Sequence, residues 1–205
     1  ADVKSVKARL STGLLSGITT NPTLIFKSGR HPQEVYQELI DLGINDISME
    51  VIGDSEEELF RNAMGHVKTY DSKATIKLPC TIDGLKACKR LSAINVRTNI
   101  TLIFSPAQAI LASLAGATYI SPFIGRMDDN SLDGMKLISD IKRTLTTDTK
   151  ILAASIRDPQ SVGTAFALGA DICTVPPAVF DRMYDHVLTD KGVEQFEKDH
   201  AATSN

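Results

Sequence analysis

No apolar run of ~18 residues or more occurs in the chain, and it does not open on a signal-like stretch, so a cytoplasmic protein without a membrane partner is expected. Cysteine is scarce. Cys80, Cys88 and Cys173 are odd in number, scattered and without a CxxC pair, which argues against a disulfide framework and for reduced, apolar-behaving thiols. His31, His66, His186 and His200 never fall at i,i+4 spacing, so no metal site is expected. No GxGxxG run follows a strand pattern, which removes the usual dinucleotide loop. An excess of one charge is missing too. Lys and Arg total 22 against 25 Asp and Glu, a net charge of −3, and that gives no footprint for nucleic acid or an anionic surface. No cofactor is expected.

What is present is an ordinary globular composition, 42% apolar and 23% charged over 205 residues, enough for one domain with a large core spanning 1–205. Asp2 is placed to cap a first helix through Val6 and Leu10. Strand patterns then occur at 16–20, 46–51, 74–79, 96–104, 119–125, 150–156 and 171–175. Asn21-Pro22 reads as a turn closing the first of these. Helical periodicity lies between and after them, with two helices at 177–186 and 190–202 closing the chain. Strict β/α alternation implies a parallel sheet with helices outside it. Seven strands and an odd leading helix fit a (β/α)8 TIM barrel whose first strand is absent from the sequence. An open parallel edge would be exposed, so a preceding natural strand is expected.

Parallel strands buried on both faces read as continuous apolar runs, and several here do not. Glu50 faces away from Met49 and Val51, and Lys77 away from Ile76 and Leu78. Asn99 and Thr101 share a face, as do Thr19 and Asn21, Ser121 and Phe123, and Ser155 and Arg157. Each alone has a bland explanation. A lysine on a strand usually lies on a solvated face, Asn21 is able simply to shape its turn, and the arginines are able to pair with Asp128 or Asp158. Together these positions cluster near C-terminal strand ends, where barrel active sites lie. A barrel interior offers lysine no solvated face.

A buried lysine without metal, nucleotide loop or reactive cysteine points to covalent catalysis by an amine, which attacks a carbonyl to form a Schiff base. Glu50, one strand earlier, is placed to move protons. Arg126, Arg157 and Ser155 offer charge-assisted donors suited to a phosphate.

Gly17-Ile18-Thr19-Thr20-Asn21-Pro22-Thr23-Leu24-Ile25 and Ile76-Lys77-Leu78-Pro79-Cys80-Thr81-Ile82-Asp83-Gly84-Leu85 resemble two transaldolase motifs. Three further blocks, Asn99 to Ser105, Ile120 to Arg126 and Ala154 to Arg157, resemble others of that family. The resemblance covers essentially the whole chain and implies a class I aldolase-type barrel of the short transaldolase branch. Such enzymes pass a dihydroxyacetone unit, held as an enamine on lysine, from a ketose phosphate to an aldose phosphate in the pentose phosphate pathway. The resemblance implies Lys77 as nucleophile, Glu50 and Thr101 as holders of a catalytic water, and Asn21 and Asn99 as ligands of the three-carbon unit. It puts Ser121 in the same shell, with Arg126, Ser155 and Arg157 on the phosphate; Thr19 and Phe123 complete the expected substrate-binding set.

Fructose-6-phosphate aldolases, which release dihydroxyacetone, are the nearest relatives with different chemistry. They resemble this chain but typically carry Gln at the Glu50 position and Tyr at the Phe123 position, so Glu50 with Phe123 favours transfer. The family also begins with a strand ending in an acid/base Asp. Asp2 fits a helix cap and does not take that role, which leaves a barrel that binds sugar phosphates without turnover as a further alternative. The last helix is surplus to barrel closure, and the resemblance implies a homo-oligomer, a pentamer or a decamer of two rings, built through it. The alternative is that this helix folds back over its own barrel.

Overall fold

The computed structural model describes residues 2–203. In chain order the elements are α1 (Val3–Leu10), β1 (Ile18–Thr19), α2 (Pro22–Ser28), α3 (Pro32–Asp41), β2 (Ile47–Glu50) and α4 (Glu56–Tyr70). Next come β3 (Ala74–Pro79), α5 (Ile82–Ala93), β4 (Thr98–Ile103), α6 (Pro106–Leu114), β5 (Tyr119–Pro122) and α7 (Ile124–Asp128). The remainder is α8 (Gly134–Thr144), β6 (Lys150–Ala153), α9 (Pro159–Ala167), β7 (Ile172–Cys173), α10 (Pro177–Arg182) and α11 (Val187–Thr203).

The seven strands form one parallel sheet in the order β1 to β7. Helices alternate with the strands, and the sheet curls into a TIM-barrel-like α/β fold in which, among the described residues, no strand precedes β1. Curling brings the ends of β1 and β7 close: the hydroxyls of Thr19 and Thr174 lie 2.6 Å apart across the seam. Below that contact a cavity of about 360 Å³ separates the two edge strands, lined in part by Ile18, Ile172 and Phe180.

The strands bury Ile47, Met49, Ile76, Leu78, Ile100 and Ile120 completely, as the surrounding helices bury Leu39, Leu91, Ile138 and Ile141. These two sets are the apolar layer between sheet and helices. Several helices start at side-chain caps directly after a strand. Ser55, Thr81, Ser105 and Asp158 accept from the backbone amides of Glu58, Gly84, Gln108 and Ser161, which satisfies first-turn donors that have no partner within the helix.

Three local expectations are corrected. Asn21-Pro22 does not close a turn; Asn21 caps α2, with Pro22 at its first position, where proline's missing N–H costs nothing. The pattern at 119–125 is strand only to Pro122, after which Ile124–Asp128 is helical. The pattern at 150–156 is strand only to Ala153, and Ser155 adopts φ 61°. Asp2 caps α1, accepting from the Ser5 amide at 3.1 Å, as the sequence implied.

Candidate active site

The inward faces of the strands stack polar side chains in layers. At the floor, Asp46 accepts hydrogen bonds from Thr75 Oγ1 at 2.6 Å, Arg97 Nη1 at 2.9 Å and the Tyr119 hydroxyl at 2.8 Å. This network closes the N-terminal end of the barrel. One layer up, Asn99 is fully buried. It donates through Nδ2 to Ser48 Oγ at 3.1 Å and accepts from Ser121 Oγ at 2.7 Å. Both ends of the amide are thereby satisfied, as a buried amide requires.

Lys77 occupies the same level with only 5% of its surface exposed. Its Nζ donates to Glu50 Oε2 at 3.0 Å and to the Thr20 carbonyl at 3.1 Å. The Thr20 carbonyl is itself held, because Thr20 donates to the Ser48 carbonyl from Oγ1 at 2.8 Å and from its amide at 3.1 Å. A buried charge with two acceptors in place avoids most of the cost of leaving an ion unpaired.

Two cavities open on Lys77 from the C-terminal end. One, about 290 Å³, is lined among others by Thr19, Asn21, Ser121, Phe123, Arg126 and Ser155. The other, about 400 Å³, adds Glu50, Thr101 and Leu102 and shares Asn21, Phe123 and Arg126 with the first. Among the described residues lining them Glu50 is the one carboxylate. Thr101 Oγ1 is buried and has no hydrogen-bond partner among the described residues. It lies within an irregularity in β4, where register shifts between Ile100 and Ile103 and the next residue, Leu102, adopts φ 60°. Bulges of this kind re-aim side chains next to active sites.

Arg126 lies over the Phe123 ring, 4.8 Å from its centroid, and makes no ion pair among the described residues. Phe123 in turn meets Phe104 edge-on at 6.0 Å. Asn21 spends Oδ1 on the Leu24 amide at 2.8 Å. Arg157 does not line either cavity; both its terminal nitrogens donate to Asp129. The sequence reading named Asp128 and Asp158 as competing partners for the arginines. Asp128 instead accepts from the Gly134 amide, and Asp158 caps α9.

Thus Thr19, Asn21, Glu50, Lys77, Thr101, Ser121, Phe123, Arg126 and Ser155 converge on one mouth, and Asn99 supports Ser121 from beneath. Sequence reasoning missed Ser48, Thr20, Leu102 and Asp129. Ser48 was findable, since it sits two residues before Glu50 on the same strand face. Thr20 acts through its backbone carbonyl, which has no side-chain signature.

A sequence model described as Transaldolase/Fructose-6-phosphate aldolase matches residues 1–205. The chain belongs to that family. A probable transaldolase of Caulobacter vibrioides is 48% identical over 205 residues, covering 98% of this chain and 94% of the relative. One from Paracoccus denitrificans is 47% identical over 206 residues, covering 99% and 94%. Among solved structures, a mandelate oxidase with 2-hydroxy-phenylacetamide superposes with a TM-score of 0.53 at 16% identity. That match covers 69% of this chain and 52% of the oxidase, about half its length, and reports the shared fold alone. Among the described residues no helix is long and apolar enough to cross a membrane.

Proposed function

We propose that this transaldolase-family protein transfers a dihydroxyacetone unit from a ketose phosphate to an aldose phosphate through a Schiff base on Lys77. The donors would be fructose 6-phosphate or sedoheptulose 7-phosphate, in the cytoplasmic pentose phosphate pathway. The observation that carries this reading is the Lys77–Glu50 pair at 3.0 Å, buried beneath two cavities that share the unpaired guanidinium of Arg126.

Glu50 takes a proton from the Lys77 ammonium along that hydrogen bond. The neutral amine attacks the C2 carbonyl, one of its protons passes to the carbonyl oxygen, and Glu50 returns the proton it took as that oxygen leaves as water, giving an iminium. Thr101, with its orphaned hydroxyl beside Glu50, is suited to hold that water, because an unmet buried hydroxyl costs roughly 1–3 kcal/mol. The C3–C4 bond then breaks. Its electron pair enters the iminium to give an enamine, the C4 hydroxyl passes its proton through the held water to the Glu50 carboxylate, and C4 departs as an aldehyde. The enamine next attacks the carbonyl carbon of the acceptor aldehyde, and hydrolysis of the new iminium frees the product and Lys77. Asn21, Asn99 and Ser121, with Thr19, orient the three-carbon unit. Arg126, Ser155 and Arg157 take the phosphate.

Phe123 supports transfer over release. The aldolase alternative needs a proton donor near the enamine, and a phenyl ring has none. A homo-oligomer, pentamer or decamer, is part of the same reading. No residue of α11 is buried, and Phe196 is 74% exposed, so the helix is not folded back over its own barrel. An apolar stripe left in water is a surface for a second copy.

Borohydride added with fructose 6-phosphate tests the mechanism. Peptide mapping is expected to find a dihydroxyacetone-derived mass on the peptide holding Lys77, abolished in Lys77→Ala. Labelling elsewhere would refute the assignment.

A further inference from the structure

We propose that Asp129 is a positioning residue for phosphate recognition, tying Arg157 to the helix that carries Arg126 so that both guanidinium groups serve one phosphate. The proposal rests on the phosphate reading of Arg126, Ser155 and Arg157 given above. Asp129 lines neither of the two cavities that open on Lys77.

The helix α7 has only 5 residues, too few to hold its own orientation, because helix nucleation is unfavourable. It is fastened at both ends to the segment after β6. At its start the Gly125 amide donates to the Ser155 carbonyl at 3.1 Å. At its end Asp129 takes Arg157 Nη1 on one carboxylate oxygen and Nη2 on the other. Arg126 lies between those two fastenings.

Stability alone does not account for the second one. The Arg157 and Asp129 side chains are 55% and 49% exposed, and exposed pairs contribute little to folding. Orientation does account for it. A guanidinium carries more N–H donors than one carboxylate accepts, and a carboxylate gripping the two terminal nitrogens leaves the Nε edge uncommitted. That edge lies against Gly125, the neighbour of Arg126. A Cβ placed on Gly125 would lie 2.8 Å from Arg157 Nε and 3.1 Å from Ser155 Oγ. With the Ser155 carbonyl oxygen closer still, the segment after β6 packs on a bare glycine, and Arg157 Nε and Ser155 Oγ lie side by side next to Arg126, which lines both cavities.

The hydrogen bonds from Arg157, with the nearby charge of Arg126, hold the Asp129 carboxyl below its ordinary range, so Asp129 is an anion facing both cations. Its negative charge alone would repel a phosphate. The proposal is that fixing Arg157 outweighs this, since a long surface side chain ordered in advance loses no rotamer freedom on binding.

The test is Asp129→Asn, read against inorganic phosphate as a competitive inhibitor and against fructose 6-phosphate and fructose as donors. The expected result is roughly tenfold weaker inhibition by phosphate and a similar rise in KM for fructose 6-phosphate. The loss falls on KM rather than kcat, KM for fructose moves much less, and Asp129→Glu recovers part of the affinity. Phosphate inhibition that is unchanged or stronger in Asp129→Asn would overturn the proposal, the stronger case making Asp129 a competitor. Equal losses for fructose and its phosphate would make the role merely structural. If the unmodified protein neither prefers fructose 6-phosphate to fructose nor responds to phosphate, the phosphate reading itself fails, and this proposal with it.

Discussion

Glu50 and Lys77 are register partners on neighbouring parallel strands, and Glu50 Oε2 accepts the Lys77 ammonium at 3.0 Å. The parallel ladder holds the two residues at one height, so no loop movement is needed to bring acid and amine together. In Glu50→Gln the side chain keeps its shape and its hydrogen-bonding oxygen but no longer takes a proton. Iminium formation, followed as the rate of borohydride-trappable adduct, is expected to fall roughly 100-fold or more. An unchanged trapping rate would assign the proton to another group.

Phe123 presents its ring between Phe104 and Arg126 at the mouth of both cavities. Phe123→Tyr adds a hydroxyl there with little change in volume. Free dihydroxyacetone from fructose 6-phosphate alone is expected to rise, and transfer to erythrose 4-phosphate to fall. If the unmodified protein already releases dihydroxyacetone as fast as it transfers it, the aldolase alternative takes over.

A pH dependence of stability follows from His66, which stacks on Tyr70 at 6.0 Å and meets Tyr36 edge-on at 5.7 Å. Burial pushes its pKa below the ordinary 6.5. Below that pH the unfolded chain takes up the proton before the folded one does, so unfolding gains. The contribution is complete above 6.5 and is lost as pH falls from there toward the lowered folded value. Denaturant midpoints at about pH 7.5 and about pH 5.5 are expected to differ less in His66→Phe than in the unmodified protein. An equal difference in both would remove His66 as the cause.

Assembly is open to direct measurement. A chain ending at Leu188 lacks Val193 and Phe196, which are 49% and 74% exposed on α11. Light scattering is expected to show an oligomer for the full chain and a smaller species after truncation. A monomer at micromolar concentration, or an unchanged mass on truncation, would exclude α11 as the contact.

Alternation along the chain determined the parallel sheet by itself, because each strand pattern is followed by a helical one and neighbours in sequence become neighbours in the ladder. The period of two likewise sufficed inside β2, β3 and β4, where Glu50, Lys77, Asn99 and Thr101 all face the barrel interior. Beyond the strand ends that rule stops. Phe123 and Ser155 follow β5 and β6, and the left-handed backbone of Ser155 turns its side chain by a local conformation that no alternation encodes. The residue type of Arg157 suits a phosphate, yet only the tertiary structure chose its partner Asp129, 28 residues away, over Asp128 and Asp158. It did so because α7 is bonded to the segment after β6 and ends on Asp129 beside that guanidinium, while Asp128 is held by the Gly134 amide and Asp158 by the start of α9. The Thr20 carbonyl on Lys77 is of the same kind: every residue has a carbonyl, and only the curl of β1 beside β2 and β3 decides which one the amine meets.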